Sequence, residues 1–99
     1  MQTKEIMKRL EKELGISIND DTLFFYDRIN LVSINKSDNG YRDYTEKDYV
    51  KLSKALVLAR DFAISLEDID KMLNKNDGIA KQAFLKRKSK LLRILKETL

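Results

Sequence analysis

Lys36 and Arg42 stand on either side of Asn39-Gly40, and Tyr41 lies between the turn and Arg42. Two cations and a phenol on a tight turn can hold phosphate oxygens, because Lys and Arg make charge-assisted hydrogen bonds to them. The same pair can equally be the solvated charges of an exposed hairpin. The 99 residues include no histidine and no cysteine. Imidazole acid–base catalysis, thiolate nucleophiles, disulfides and thiolate metal sites are therefore excluded within this sequence. No enzyme activity, metal or cofactor is expected.

The elements that must position these residues can be read locally. Asn-Gly is a strong hairpin signal, since both central positions of a type I′ turn need φ > 0. The spacing predicts an outgoing strand over Leu31 to Asn35, a loop over Lys36 to Gly40 and a return strand over Tyr41 to Tyr44. Alternation then sends Tyr41 and Asp43 to one face and Arg42 and Tyr44 to the other. Thr45 and Asp48 form a variant capping box that opens a helix, and Ser65 with Asp68 repeats it.

Upstream, Ile6, Met7, Leu10 and Leu14 fall at helical spacing, with Gly15 placed to stop the helix. Asn19 can cap a second helix whose first turn holds Asp20 and Asp21, so the two form a helix-turn-helix. Leu23, Phe24, Phe25 and Tyr26 cannot all face one side of that helix. Leu23 and one or two aromatics are expected in the core, with at least one aromatic near the surface. Tyr49, Leu52, Leu56 and Ala59 give a third helix over Glu46 to Asp61, and Ile69, Met72 and Leu73 a short fourth.

Gly40-Tyr41-Arg42 with Tyr44 and Asp48, Thr22-Leu23-Phe24-Phe25-Tyr26-Asp27 with Asn30-Leu31-Val32, and Phe62 to Ile69 together resemble the MerR-type transcription regulators, over about residues 4 to 73. The resemblance implies a mainly α fold: a winged helix-turn-helix with a small two-stranded β wing over residues 1–75, then a C-terminal dimerisation helix over 79–99. It further implies a sequence-specific, dimeric regulator on double-stranded promoter DNA, where RNA polymerase engages. In that scheme Thr22, Phe24 and Tyr26 lie on the recognition helix. Lys36, Tyr41 and Arg42 hold phosphates from the wing, and Arg60 adds a backbone contact. The family usually has arginine where Phe24 stands, and polar or basic residues where Asp20 and Asp21 stand.

Charge is unevenly placed. Residues 79–99 hold seven of the 20 basic residues and only Glu97 among 16 acidic ones, a net of +6. Residues 1–78 keep 13 basic and 15 acidic residues, a net of −2. Phosphate neutralisation supplies most non-specific DNA affinity. The competing expectation is thus a MerR-like fold used as a protein-interaction module, with weak or no DNA binding.

Beyond the polar break at Asn74 to Gly78, Leu85, Leu92, Leu95 and Leu99 recur at a/d-like spacing. They fit either a homodimer seam or a helix folded back on its own domain. A membrane-surface role for this basic helix is a weaker alternative, because its apolar face is better explained by a helix partner. No apolar run approaches the roughly 20 residues of a membrane span, so a cytoplasmic protein with no membrane partner is expected.

Overall fold

The computed structural model describes residues 1–98, leaving out the Thr98 side chain. Leu99, one of the expected dimerisation residues, lies outside the described residues. Five helices follow in order: α1 (Thr3–Leu14), α2 (Asp20–Arg28), α3 (Glu46–Arg60), α4 (Leu66–Leu73) and α5 (Gly78–Thr98). The chain divides into two compact units, Met1–Lys54 and the residues from Ala55 onward.

In the first unit α1 packs against α2. Gly15 ends α1 with φ 66°, and its N–H reaches the Glu11 carbonyl at 3.0 Å. Asn19 starts α2 by accepting the Thr22 N–H at 3.1 Å. Ile6, Leu10, Ile16, Leu23, Tyr26, Leu31, Val32, Ile34, Tyr44, Tyr49 and Leu52 form the core of this unit. Leu14, on the same sequence stripe as Ile6 and Leu10, is 42% exposed. The Thr45–Asp48 box is reciprocal: Thr45 N–H donates to Asp48 Oδ2 at 2.9 Å, and Asp48 N–H donates to Thr45 Oγ1 at 3.1 Å.

The expected two-stranded β wing is corrected. Among the described residues there is no β-strand, only a single antiparallel bridge between Lys36 and Arg42. Its two bonds run from Ser37 N–H to the Tyr41 carbonyl at 2.7 Å and from Asp43 N–H to the Asn35 carbonyl at 2.9 Å. The next inward-facing donor a ladder needs in this register is Thr45 N–H, toward the Ser33 carbonyl, and it goes to Asp48 Oδ2 in the α3 cap at 2.9 Å instead. Ile34 and Tyr44 face their N–H groups outward, away from each other. Ile34 N–H donates to Asp27 Oδ1 at 3.2 Å, and Tyr44 N–H donates to the Met1 carbonyl at 2.7 Å. At the start of the outgoing segment, Leu31 and Val32 N–H both turn back to the Tyr26 carbonyl, at 3.0 and 3.2 Å. Each of these donors is thus satisfied without a ladder.

The turn also differs from a type I′ hairpin. Gly40 N–H closes on the Ser37 carbonyl at 2.9 Å, so Asp38 and Asn39 occupy the centre. Gly40 takes the left-handed position after them, with φ 84°. This is the geometry of a three-residue loop with a glycine bulge. Side-chain alternation survives without the ladder: Tyr41 and Asp43 are exposed, Arg42 is half-buried and Tyr44 is buried. A Cβ at Gly40 would meet nothing within 4 Å. Gly40→Ala should therefore cost only the conformational penalty, about 1–2 kcal/mol, read as a lower urea midpoint with unchanged slope.

In the second unit α4 packs against α5, and the Phe84 ring of α5 meets Phe62 edge-on at 5.2 Å. Ser65 caps α4 through the Asp68 N–H at 3.2 Å. Asp77 caps α5, its Oδ1 accepting the Ile79 and Ala80 N–H groups at 2.9 and 3.2 Å. Ala55, Leu56, Ile69 and Met72 are buried.

Candidate nucleic-acid interface

α2 and the 36–42 turn are tied together by one carboxylate. Asp27, in the last turn of α2, accepts the Arg42 Nε–H on Oδ2 at 2.8 Å while its Oδ1 holds the Ile34 N–H. The two side chains are largely withdrawn from solvent, 22% exposed for Arg42 and 14% for Asp27. The Arg42 guanidinium also lies over the Phe24 ring, 4.1 Å from its centroid. Phe24 is thus half-buried beneath a cation, in a cation–π contact. An arginine at position 24 would set two guanidinium groups against each other. The Nη atoms of Arg42 meet no carboxylate among the described residues, so Asp27 fixes the group's orientation without using up its donors.

The expected site residues fall into distinct environments. Lys36 and Tyr41 are exposed on the turn, Tyr41 by 65%. Thr22 is half-buried, and its Oγ1 donates to Asn19 Oδ1 at 3.2 Å, so its hydroxyl serves the α2 cap. Tyr26 is buried, only 6% exposed, and contributes to the core of the first unit. Arg60 is exposed at the end of α3, in the second unit. Leu85, Leu92 and Leu95 are about half exposed along α5.

Two residues were not anticipated from the sequence. Asp27 matters because its partners lie 7 and 15 residues away, beyond any local pattern. Arg28 is an exposed cation at the end of α2, its guanidinium 5.6 Å from the centroid of the exposed Phe25 ring. The three-residue Phe25–Arg28 spacing on one helix face was the available signal.

A second polar cluster fastens the start of α3 to α1. Arg9 donates through Nε to Glu13 Oε1 at 3.0 Å and through Nη2 to Glu46 Oε1 at 2.6 Å, and it stacks on Tyr49 at 3.8 Å. The Tyr49 hydroxyl donates to Glu13 Oε2 at 2.7 Å. The Tyr49 hydrogen bond, then Arg9, holds the Glu13 carboxyl below its ordinary value, and Arg9 does the same for Glu46. Carboxylates depressed in the folded state contribute stability above their unfolded pKa, and that contribution disappears as pH falls through the folded value. Acid titration should therefore lower the melting temperature below about pH 4.3. Glu13→Gln with Glu46→Gln should flatten that slope, and an unchanged slope would remove this cluster as its source.

Among the described residues no helix is long and apolar enough to cross a membrane. A family model described as MerR HTH family regulatory protein matches residues 6–76. An uncharacterized HTH-type transcriptional regulator of Synechocystis sp. is 38% identical over 69 residues, which cover 69% of this chain and 48% of that protein. The chain thus spans about half the length of the curated relative it matches. The family is one of non-catalytic, DNA-binding regulators, in agreement with a chain that is not an enzyme. With most of its length matched, and a helix-turn-helix of α1 and α2 braced by Asp27 to a basic turn, this chain belongs to the MerR HTH family of regulatory proteins.

Proposed function

We propose that this chain is the DNA-reading part of a transcription regulator that binds double-stranded promoter DNA sequence-specifically, where RNA polymerase engages. The observation that carries the reading is Arg42, oriented by Asp27 and Phe24 with its terminal nitrogens still able to donate. Guanidinium groups held this way suit phosphate oxygens. Lys36, Tyr41 and Arg42 hold one strand's backbone from the turn. Thr22 and Phe24 lie toward the reading edge of α2, joined by Arg28, and the buried Tyr26 sets that edge from behind. Arg60 is a separate backbone contact. α5 joins the reader to a second chain through Leu85, Leu92, Leu95 and Leu99. The resemblance implies that this second chain is another copy, so that the regulator is a homodimer.

Affinity for a duplex should fall steeply with salt, and Lys36→Ala should lower the log–log slope by about one unit with little sequence dependence. Mobility shift across a salt series reads both. If a folded wild-type protein shows no salt-sensitive binding to any duplex, the interaction-module reading replaces this one. Asp20 and Asp21 at the start of α2, and the exposed Phe25 and Ile29 along it, favour that second reading.

A further inference from the structure

The 36–42 turn carries an asparagine placed to react with its own backbone. Asn39 is followed by Gly40, whereas Asn19, Asn30, Asn35, Asn74 and Asn76 all precede residues with side chains. Attack of the following amide nitrogen on an asparagine carboxamide is hindered by a side chain on that next residue, and glycine has none. Asn39 and Gly40 are both exposed, and a Cβ at Gly40 would meet nothing within 4 Å, so the approach is open. Asn39 Oδ1 accepts a hydrogen bond from the Ser37 hydroxyl, whose one proton is shared with the Tyr41 carbonyl at 3.1 Å. Asn39 Nδ2, the leaving group, meets no acceptor among the described residues.

One bond stands in the way. Gly40 N–H closes the turn on the Ser37 carbonyl at 2.9 Å, and it must open before the nitrogen can turn to Asn39. The missing ladder makes that opening cheap, because only the single Lys36–Arg42 bridge lies behind the turn. Hydroxide then takes the Gly40 amide proton, and the nitrogen bonds to Asn39 Cγ. Negative charge develops on Oδ1, where the Ser37 hydroxyl already donates. The Cγ–Nδ2 bond breaks, ammonia leaves with a proton from water, and a cyclic imide remains. Water opens the imide at either carbonyl, to aspartate or, with the backbone lengthened by one carbon, to isoaspartate.

We propose that Asn39 is a self-modifying site, at which the turn with Ser37 and Gly40 drives its own deamidation and the carboxylate so formed loosens the turn from phosphate. The product adds a negative charge between Lys36 and Arg42, in a turn that already holds Asp38. It offsets one of the cations that neutralise the DNA backbone. Loss of ammonia to water makes the step one-way, so the turn records the age of each molecule. The effect on affinity rests on the DNA reading above, whereas the modification itself does not.

The experiment incubates the folded full chain in mildly alkaline buffer and follows it by intact mass and peptide mapping. Asn39 should gain the mass difference between a carboxamide and a carboxyl well before any other asparagine, with isoaspartate among the products. Ser37→Ala should slow this about 2- to 10-fold in the folded chain, the worth of one hydrogen bond in water, and leave the rate in urea unchanged. Mobility shift on one duplex should give aged protein a log–log salt slope lower by about one unit, while Asn39→Gln keeps its slope through the same incubation. A folded chain in which Asn39 stays intact while it converts in urea overturns the proposal. So does a Ser37→Ala rate equal to that of the wild type, or an aged protein whose duplex binding is unchanged. Fresh protein that binds no duplex removes the DNA reading, and the mass measurement still decides the modification.

Discussion

Asp27→Ala should lower stability by about 2–3 kcal/mol and weaken duplex binding whatever the sequence of the DNA. The substitution removes the acceptor of both the Arg42 Nε–H and the Ile34 N–H. Charge-assisted hydrogen bonds are each worth about 1.5–3 kcal/mol, and removing one member of a withdrawn ion pair leaves the other uncompensated. The upper end of that range is discounted because Arg42 keeps some contact with water and with the Phe24 ring. Urea unfolding measures the loss. The double-mutant cycle with Arg42→Ala identifies its source: a coupled pair should give an interaction of at least about 0.5 kcal/mol, because the second substitution removes a charge already stranded. Additive losses would mean that Asp27 acts only through the backbone of Ile34, and Arg42 would then be free to reorient. The DNA readout follows from the same geometry. With Asp27 gone, the turn loses both of its hydrogen-bonded ties to α2 and keeps only the contact of Arg42 with the Phe24 ring, so Lys36 and Arg42 are held less firmly against the reading helix. An entropic loss of this kind is shared by all sequences.

Leu10→Ala should be a severely damaging truncation of α1, costing about 2–5 kcal/mol and unfolding a large share of the molecules at physiological temperature. Leu10 is 0% exposed, and its removal leaves a cavity that neighbouring helices can fill only in part. Leu14→Ala is the internal comparison. It lies on the same helical stripe in the sequence yet is 42% exposed, so its loss should stay within about 0.5 kcal/mol. Thermal melts of the two variants separate them, and equal shifts would show that the stripe is buried to its end. The contrast matters for function because α1 is the helix against which α2 packs. A chain that keeps Leu10 keeps the platform for the reading helix.

What the sequence determined by itself was the set of contacts made between near neighbours. Asn19 to Thr22, Thr45 to Asp48 and Ser65 to Asp68 each span three residues, so their geometry depends on little beyond the local chain. Gly15 stops α1 for the same reason, since the left-handed conformation it adopts favours glycine over other residues. The helix-turn-helix and the alternation of Tyr41, Arg42, Asp43 and Tyr44 were therefore legible, as was the family resemblance those residues carry. The missing strands were decided elsewhere. Whether Leu31 to Asn35 pairs with Tyr41 to Tyr44 depends on what else competes for the same backbone donors. The next ladder donor, Thr45 N–H, goes to Asp48 in the α3 cap, and the outer edges of the two segments are held by distant groups, Asp27 at Ile34 N–H and Met1 at Tyr44 N–H across 43 residues. Arg42 followed the same logic. Its sequence neighbourhood suggested a solvated or phosphate-facing charge, and only tertiary packing set Asp27 and Phe24 against it. Arg9 found Glu46 at a separation of 37 residues. A hydrogen-bonding group takes the best partner within reach, and for these residues the reach was set by the folding of α1, α2 and the start of α3 onto one core.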